Sequence, residues 1–468
     1  MNAETPVDRS VSAAMLTPAQ AREQLLAAAR SFAATETVDT LAANRRVLAA
    51  DVISPLDVPP ADISAMDGYA VRAADVAEAG ARVRISQRIA AGQPPQPLEP
   101  GTAARIFTGA QLPAGADTIV IQEDTQTDGA WVTFAERAQS GANINRQGAD
   151  IRAGAAILTT GHRLDAQALG LAASVGRATL TVYRRPKVAI FFTGDELTMP
   201  GEPLRAGAIY NSSRFTLTTL LRNLGCEVTD FGIVPDKLDA TRAVLREAAR
   251  GHDLVLTSGG VSVGEEDHVK AAVEAEGRID LWRIAMKPGK PLAFGEIQDR
   301  SAAPVSGVEA VSEASGTNST NSTNSTNSTN STNSTNSTSG TNHDASDGTR
   351  DAEGRSVHFI GLPGNPVSSF IGFILFVRPF VLKLQGAAQL EPRGAWIRCN
   401  VSQKKAERRH EYLRARIGAD GGLDLFANQS SAVLTSTVWA DGLIDNPPNH
   451  RIEAGEVVRF LPFAELLY

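Results

Sequence analysis

Between residues 185 and 384, short apolar runs typical of buried strands alternate with segments of helical periodicity. The pattern predicts strands at residues 187–192, 227–233, 253–257, 280–285 and 357–360, and helices at residues 213–224, 239–250, 268–276 and 367–384. This alternation predicts a doubly wound, mostly parallel sheet with helices on both faces. A ligand is expected beyond the carboxyl ends of its strands.

The flanking segments have different patterns. Helical periodicity predicts helices at residues 18–32, 41–50 and 165–176, and short β-like runs occupy residues 82–89, 103–107, 118–122 and 130–134. Residues 396–463 alternate like the strands of a small β-barrel or sandwich. We predict a discontinuous helical domain at 10–52 and 143–182, a β-rich domain at 53–142, the α/β domain at 183–388 and a C-terminal β domain at 389–468.

An insertion of Ser, Thr, Asn, Gly and Ala interrupts the α/β domain at residues 298–355. Residues 318–338 are seven consecutive Asn-Ser-Thr triplets. Without apolar side chains to offset the ordering entropy, this segment is predicted to be a disordered surface loop. The triplets match the glycosylation sequon, which matters only in a secreted protein.

Composition narrows the class of protein. The chain has 468 residues, a formal net charge of −7 and two cysteines, which are far apart in sequence. A general nucleic-acid binder, a disulfide framework and a zinc site are therefore not expected. No signal-like segment or long apolar run is evident, so we expect a soluble, cytoplasmic protein that does not enter a membrane.

A glycine-rich turn follows the predicted strand at 253–257. Its sequence is TSGGVSVGEED, with Ser258, Gly259, Gly260, Ser262 and Gly264 before an acidic helix start. Such a strand, turn and helix can present backbone N–H groups to an anion. The alternative is an ordinary glycine turn with an acidic cap.

Other loops at the same sheet edge carry charged side chains. Lys287 and Lys290 flank a stiff Pro-Gly pair, which suits a compact oxyanion. Carboxylates that would repel one another without a cation are Asp67, Asp150, Glu196, Asp236 and Asp267. Mg²⁺ bridging phosphate oxygens would satisfy them, which indicates phosphoryl or nucleotidyl chemistry. For Asp67 a simple tight turn is the alternative, and for the basic cluster at residues 404–416 a solvated face.

The motifs SAMDGYAV, FTGA, TGDEL, TSGGVSVGEED, MKPGKP and GLPGNPVSS occur here in that order. Together they resemble the molybdopterin molybdotransferase family, which includes the E domain of gephyrin. The resemblance implies four domains and a homodimer with its site between the α/β domain of one subunit and the first domains of the other. It further implies Mg²⁺-dependent release of AMP from adenylylated molybdopterin and insertion of molybdate.

The resemblance also implies roles for individual residues. Catalytic residues would be Asp67, Asp150, Glu196, Asp236, Asp267, Lys287 and Lys290, of which Asp67, Glu196, Asp236 and Asp267 would bind Mg²⁺. Substrate would be bound by Thr108, Thr193, Gly194, Ser258, Gly259, Gly260, Ser262, Gly264, Arg283, Pro291, Pro363, Gly364, Asn365, Ser368, Arg414 and Ser431. Molybdate in particular would be held by Lys287, Lys290, Ser368, Arg414 and Ser431. Two positions depart from the family pattern: Arg283 replaces a frequent Lys, and Asn145 a frequent basic residue.

Two alternative functions remain at this point. A molybdopterin adenylyltransferase resembles the same α/β domain, but the flanking β modules argue against it. A non-catalytic, self-associating scaffold of the gephyrin type needs neither the lysines nor the acids. An adenylyltransferase is also a candidate partner protein.

Overall fold

The structure is a computed structural model that describes residues 15–261, 268–300 and 355–467. The second half of the glycine-rich stretch, with Ser262, Gly264 and Asp267, lies outside the described residues, as does nearly all of the predicted insertion. Within the described ranges, three six-stranded sheets organise the chain. The predicted multidomain α/β architecture is confirmed; the domain boundaries stay a prediction.

The N-terminal helix is Pro18–Ala28. The side chain of Thr17 accepts a hydrogen bond from the backbone of Gln20, whose side chain caps Thr17 in return, so the helix begins where the sequence predicted. It ends four residues before the predicted end at Phe32. Ala29 is extended, and its N–H bonds to the carbonyl of Leu26.

The helix predicted at 41–50 is wrong. Only Thr40–Ala43 forms a single turn, of the 3-10 type. Val47 and Leu48 then form bridges to Arg163 and Val182. The chain therefore uses its backbone groups for long-range pairing rather than for a helix.

Two segments distant in sequence pair across the first part of the molecule. Thr35–Asp39 is antiparallel to Thr179–Tyr183, and Val52–Ile53 is antiparallel to Ala156–Leu158. The helix Ala166–Ser174, capped by Asp165, packs in the same apolar cluster. This pairing is what a discontinuous first domain requires.

The β-rich sheet lies between these two segments in sequence. In spatial order its strands are Thr118–Ile121, Gly68–Val71, Thr102–Ile106, Arg82–Ile89, Trp131–Phe134 and Thr125–Thr127. Gly68 sits where strands approach closely, since an added Cβ would lie 2.1 Å from the carbonyl oxygen of Val120. The strand that follows Asp67 can therefore begin only with glycine.

The central sheet carries the loops of interest. Its strands in spatial order are Glu227–Val234, Lys187–Thr193, Leu254–Ser258, Ser356–Leu362, Pro291–Gln298 and Gly277–Arg283. The first four are parallel to one another, and Pro291–Gln298 is antiparallel to both of its neighbours. Because Gly277–Arg283 therefore runs with the parallel set, the loop after Arg283 emerges at the same edge as the other strand-end loops.

The strand Pro291–Gln298 was not predicted. It begins with proline and contains Gly295, both of which weaken a strand signal in sequence. Tertiary packing explains the glycine, since a Cβ at Gly295 would lie 2.1 Å from the carbonyl oxygen of Arg278.

Apolar clusters cover both faces of the central sheet. Val188, Ile190 and Phe192 belong to one cluster, and Ala189 and Phe191 to the other. Such a strand is buried on both sides, which explains its continuous apolar sequence. The helices that cover the sheet are Ser212–Asn223, Leu238–Ala249, His268–Glu276 and a long final one made of Pro366–Gly372, Phe373–Val377 and Arg378–Leu384.

The last of these sheet-covering helices, Pro366–Leu384, is long and apolar enough to cross a membrane by length and composition. No such segment was expected from the sequence. However, 94% of its most apolar window is buried inside the molecule, against the central sheet. Its apolar character is that of a core helix.

The C-terminal strands form a small barrel. The strands are Ala395–Arg398, His410–Ile417, Leu423–Leu425, Gly442–Asn446 and Val457–Pro462. A bridge between Cys399 and Leu423 joins the two end strands and closes the ring. Met286–Lys287 pairs with the start of His410–Ile417, which brings the lysine loop against the barrel.

Candidate functional site

A cavity of about 770 Å³ lies at the carboxyl ends of the parallel strands. This volume is within the usual range for small-molecule sites. Loops that follow five strands of the central sheet converge on it, together with a loop of the C-terminal barrel. The residues predicted from sequence that line it are Thr193, Gly194, Glu196, Asp236, Ser258, Gly259, Gly260, Lys287, Lys290, Pro291, Pro363, Gly364, Asn365, Ser368 and Ser431.

The glycine turn is fitted closely to the neighbouring strand end. Gly259 has a φ of +102°, and an added Cβ would lie 2.5 Å from the carbonyl oxygen of Thr193. At Gly260 the φ is +63°, and a Cβ would lie 2.4 Å from a methyl group of Val269. Glycine is therefore required at both positions, and the turn exposes backbone to the cavity.

Ser258 is buried and connects two of the cavity loops. Its hydroxyl donates to the carbonyl oxygen of Pro363 at 3.0 Å and lies 2.9 Å from the Oγ of Ser369. The Gly259 N–H donates to the carbonyl oxygen of Leu362 at 3.1 Å. These bonds hold the glycine turn against the turn formed by Pro363, Gly364 and Asn365.

The lysine loop presents two ammonium groups. Lys290 is exposed to solvent. The side chain of Lys287 is 36% exposed and lies between two carboxylates of the C-terminal barrel. Its Nζ is 3.1 Å from Oε1 of Glu407 and 3.5 Å from Oε1 of Glu411. The Lys287 ammonium holds the pKa of the Glu407 carboxyl below its usual value. Neither glutamate was singled out from the sequence.

Glu196 and Asp236 are the two predicted carboxylates that line this cavity. Asp67 lies on the β-rich sheet, where its Oδ1 accepts hydrogen bonds from the N–H and hydroxyl of Thr108 at 2.8 and 2.7 Å. These two bonds lower the pKa of Asp67. Asp150 is exposed, and its backbone N–H donates to the carbonyl oxygen of Val58 at 3.0 Å.

The predicted set of four magnesium ligands is therefore not assembled within the described part of this chain. Asp67 does not line the cavity, and Asp267 lies outside the described residues. Among the described residues, no group of three or more His, Cys, Asp or Glu side chains is placed to hold a metal ion. Of the described residues that line the cavity, Glu196 and Asp236 are those that offer carboxylate oxygens, the donor type that Mg²⁺ prefers.

Two predicted arginines do not line the cavity. Arg283 is exposed at the end of its strand, opposite Pro291 in the pairing register. Arg414 is fully buried, and burial lowers its pKa to about 10. Its guanidinium donates to the Ser436 hydroxyl at 3.1 Å and to the Ser430 carbonyl oxygen at 3.2 Å. In this structure Arg414 supports the cavity wall from behind, and its contact with the oxyanion stays a prediction.

Arg409 was missed as a site residue. It is half-buried and lines the cavity, with one guanidinium N–H donating to the carbonyl oxygen of Met286 at 3.3 Å. From sequence it belonged to a basic cluster whose default interpretation was a solvated face. No sequence signal separates it from the rest of that cluster, because its position directly before the strand that pairs with Lys287 is visible only in the fold.

The other missed residues lie at a helix start and in the barrel loop. Asn211 is 2% exposed and caps the helix Ser212–Asn223 by accepting the Arg214 N–H at 3.1 Å. Its sequence, Asn-Ser-Ser before an apolar periodic run, is a recognisable helix-start signal. The missed lining residues of these two groups are Asn211, Ser213, Gln429 and Ser430.

Fold and cavity together define a multidomain α/β protein that gathers lysine, arginine and carboxylate side chains at the strand ends of its central sheet. Three family profiles match the chain: the MoeA N-terminal region (domain I and II) at residues 16–176, a probable molybdopterin binding domain at 189–383, and the MoeA C-terminal region (domain IV) at 397–463.

Curated relatives match this chain over most of its length. The molybdopterin molybdenumtransferase of Haemophilus influenzae is 34% identical over 462 residues, which cover 97% of this chain and 100% of the relative. That of a Nostoc species is 33% identical and covers 83% of this chain and 78% of the relative. A crystal structure of the molybdopterin biosynthesis MoeA protein of Pyrococcus horikoshii has a TM-score of 0.67 at 26% identity, covering 96% of this chain and 99% of that one. The chain belongs to the molybdopterin molybdenumtransferase family.

Proposed function

We propose that this protein inserts molybdate into adenylylated molybdopterin and releases AMP, as the final step of molybdenum cofactor synthesis. The observation that carries the proposal is that the cavity joins two chemically different regions. The loop with Lys287 and Lys290 follows the strand at one edge of the central sheet, and Arg409 bonds to that loop. Asp236 and Glu196 follow the two strands at the other end of the sheet, with the glycine turn between the two regions, and all of these residues line the cavity.

The cationic side suits an oxyanion. Two ammonium groups and a guanidinium supply charge-assisted hydrogen bonds, which are the stronger kind. Ser368, which is 2% exposed, and Ser431 add hydroxyl groups to the same cavity. A tetrahedral dianion such as molybdate would be held by these groups, with Arg414 keeping the barrel loop in position.

The opposite side suits the phosphate-bearing part of the pterin substrate. The turn at Gly259 and Gly260 brings backbone close to the cavity, and glutamate and aspartate oxygens lie beside it. Glu196 and Asp236 would hold Mg²⁺, which when bound neutralises phosphate charge. The chain's own contribution is to fix the adenylylated end of the substrate near the oxyanion.

We further propose that a homodimer completes the site and that the protein works in the cytoplasm. Asp67 and Thr108 form a bonded pair, and Asp150 is exposed, yet neither the pair nor Asp150 lines the cavity of its own chain. Supply of these groups by a second copy would give Mg²⁺ its missing oxygen ligands. A molybdopterin adenylyltransferase that delivers the substrate is a candidate partner.

AMP release tests the proposal. Purified protein given adenylylated molybdopterin, Mg²⁺ and molybdate is expected to release AMP, and removal of Mg²⁺ with a chelator should abolish the release and re-addition restore it. The amount of AMP is measured by chromatography. A folded protein that releases none under these conditions would instead favour the scaffold function.

A further inference from the structure

The ammonium of Lys287 already has counter-anions in the molecule. Its Nζ contacts Glu407 at 3.1 Å and Glu411 at 3.5 Å, while the same side chain lines the cavity. Two carboxylates therefore lie within 3.5 Å of this one ammonium group, and Lys405 offsets part of the charge of Glu407, with its Nζ 3.6 Å from that carboxylate. An approaching dianion therefore meets carboxylates at the very lysine that should attract it.

The two carboxylates are held differently. Glu411 is 3% exposed within the strand His410–Ile417, and its Oε2 accepts from the side-chain amides of Gln403 at 2.8 Å and Asn446 at 3.4 Å. It is fixed by these bonds.

Glu407 precedes that strand, and its side chain is 23% exposed. Besides Lys287 it faces Lys405, whose Nζ is 3.6 Å from its Oε1. The charge of Glu407 is thus held by two lysines and by solvent. Of the two carboxylates, Glu407 is the one that can leave Lys287 while Glu411 keeps the ammonium in place.

We propose that Glu407 is an affinity-determining residue, which competes with the oxyanion for Lys287 and must be displaced when the oxyanion binds. The inference rests on the proposed function for the identity of the oxyanion. Glu407 takes no part in the chemistry under this proposal. Glu407 acts through Lys287, by setting the concentration of molybdate at which the cavity fills.

The test is the affinity of the pterin-free protein for molybdate, measured by calorimetry. Glu407→Gln should lower the dissociation constant about tenfold, since it removes a close negative charge and leaves the Glu411–Lys287 pair intact. Glu407→Asp, which keeps the charge, should bind more weakly than Glu407→Gln. The matched control is Glu453→Gln, because Glu453 is 58% exposed and pairs with Arg451 at 3.4 Å rather than with Lys287. The molybdate affinity of this variant should equal that of the wild type.

An unchanged or weakened affinity in a folded Glu407→Gln protein would overturn the inference, because a residue that merely orients Lys287 would weaken binding when altered. In the AMP assay, the same variant should reach half-maximal rate at less molybdate with its maximal rate unchanged. The experiment distinguishes the two proposals. Tighter molybdate binding by the variant without any AMP release would contradict the proposed function alone. AMP release with an unchanged molybdate affinity would contradict only the competition between Glu407 and molybdate for Lys287.

Discussion

Replacing Lys287 with alanine is expected to lower molybdate-dependent AMP release about 100-fold at a molybdate concentration below saturation. The reason is that Lys287 would form a charge pair with the bound molybdate. Truncating one member of such a pair costs about 2–5 kcal/mol of binding free energy, and a 100-fold change corresponds to about 2.7 kcal/mol. Release of AMP is measured over a range of molybdate concentrations. The half-saturating concentration should rise while the oligomeric state stays unchanged.

Lys404→Ala is the matched control, since Lys404 is an exposed lysine of the same basic cluster that does not line the cavity. Because truncating Lys287 also leaves Glu411 without its cation, Lys290→Ala serves as a second variant on the same loop. If both loop variants show the molybdate dependence of the wild type, the assignment of the oxyanion to this loop is wrong.

Asp253→Asn is expected to reduce the free energy of unfolding by about 2–3 kcal/mol. Asp253 is 8% exposed at the sheet edge opposite the cavity, where its carboxylate accepts hydrogen bonds from Nη1 and Nη2 of Arg184 at 2.8 and 2.7 Å. It also accepts from Arg355 at 3.0 Å and from the Lys187 N–H at 2.8 Å. The amide keeps some of these bonds but not the charge.

The expected loss is smaller than for a fully buried pair because Arg184 and Arg355 are 31% and 48% exposed and keep contact with water. Thermal unfolding should show a fall in midpoint of about 2–4 °C per kcal/mol. Asp128→Asn, which alters an exposed pair with Arg82, should leave the midpoint almost unchanged. Equal midpoints for the two variants would contradict the view that Asp253 ties the strand starts together.

The middle of the central sheet was predictable because its three inner parallel strands, Lys187–Thr193, Leu254–Ser258 and Ser356–Leu362, are almost continuously buried. Phe191 and Phe192 point to opposite clusters, so the strand reads as a continuous apolar run. One interior strand of this sheet was harder to predict. The strand Pro291–Gln298 was missed because its glycine reflects a close approach to Arg278, and that contact is visible only in three dimensions.

The cavity loops were predictable for a related reason: strand-end loops of a parallel sheet meet at one edge. Side-chain direction was not. Arg409 and Arg414 are five residues apart in one basic cluster. Arg409 lines the cavity, yet Arg414 is fully buried behind the cavity wall. Pairing of the barrel strand with Met286–Lys287 decides between them, and that pairing spans more than 120 positions in the chain.

The location of molybdenum tests the central claim most directly. Crystals of the protein soaked in molybdate, with data collected at the molybdenum absorption edge, should show an anomalous peak for a molybdate ion whose oxygens lie within hydrogen-bonding distance of Lys287, Lys290 and Ser368. A peak at another place only, or none at a molybdate concentration that saturates AMP release, would contradict the account.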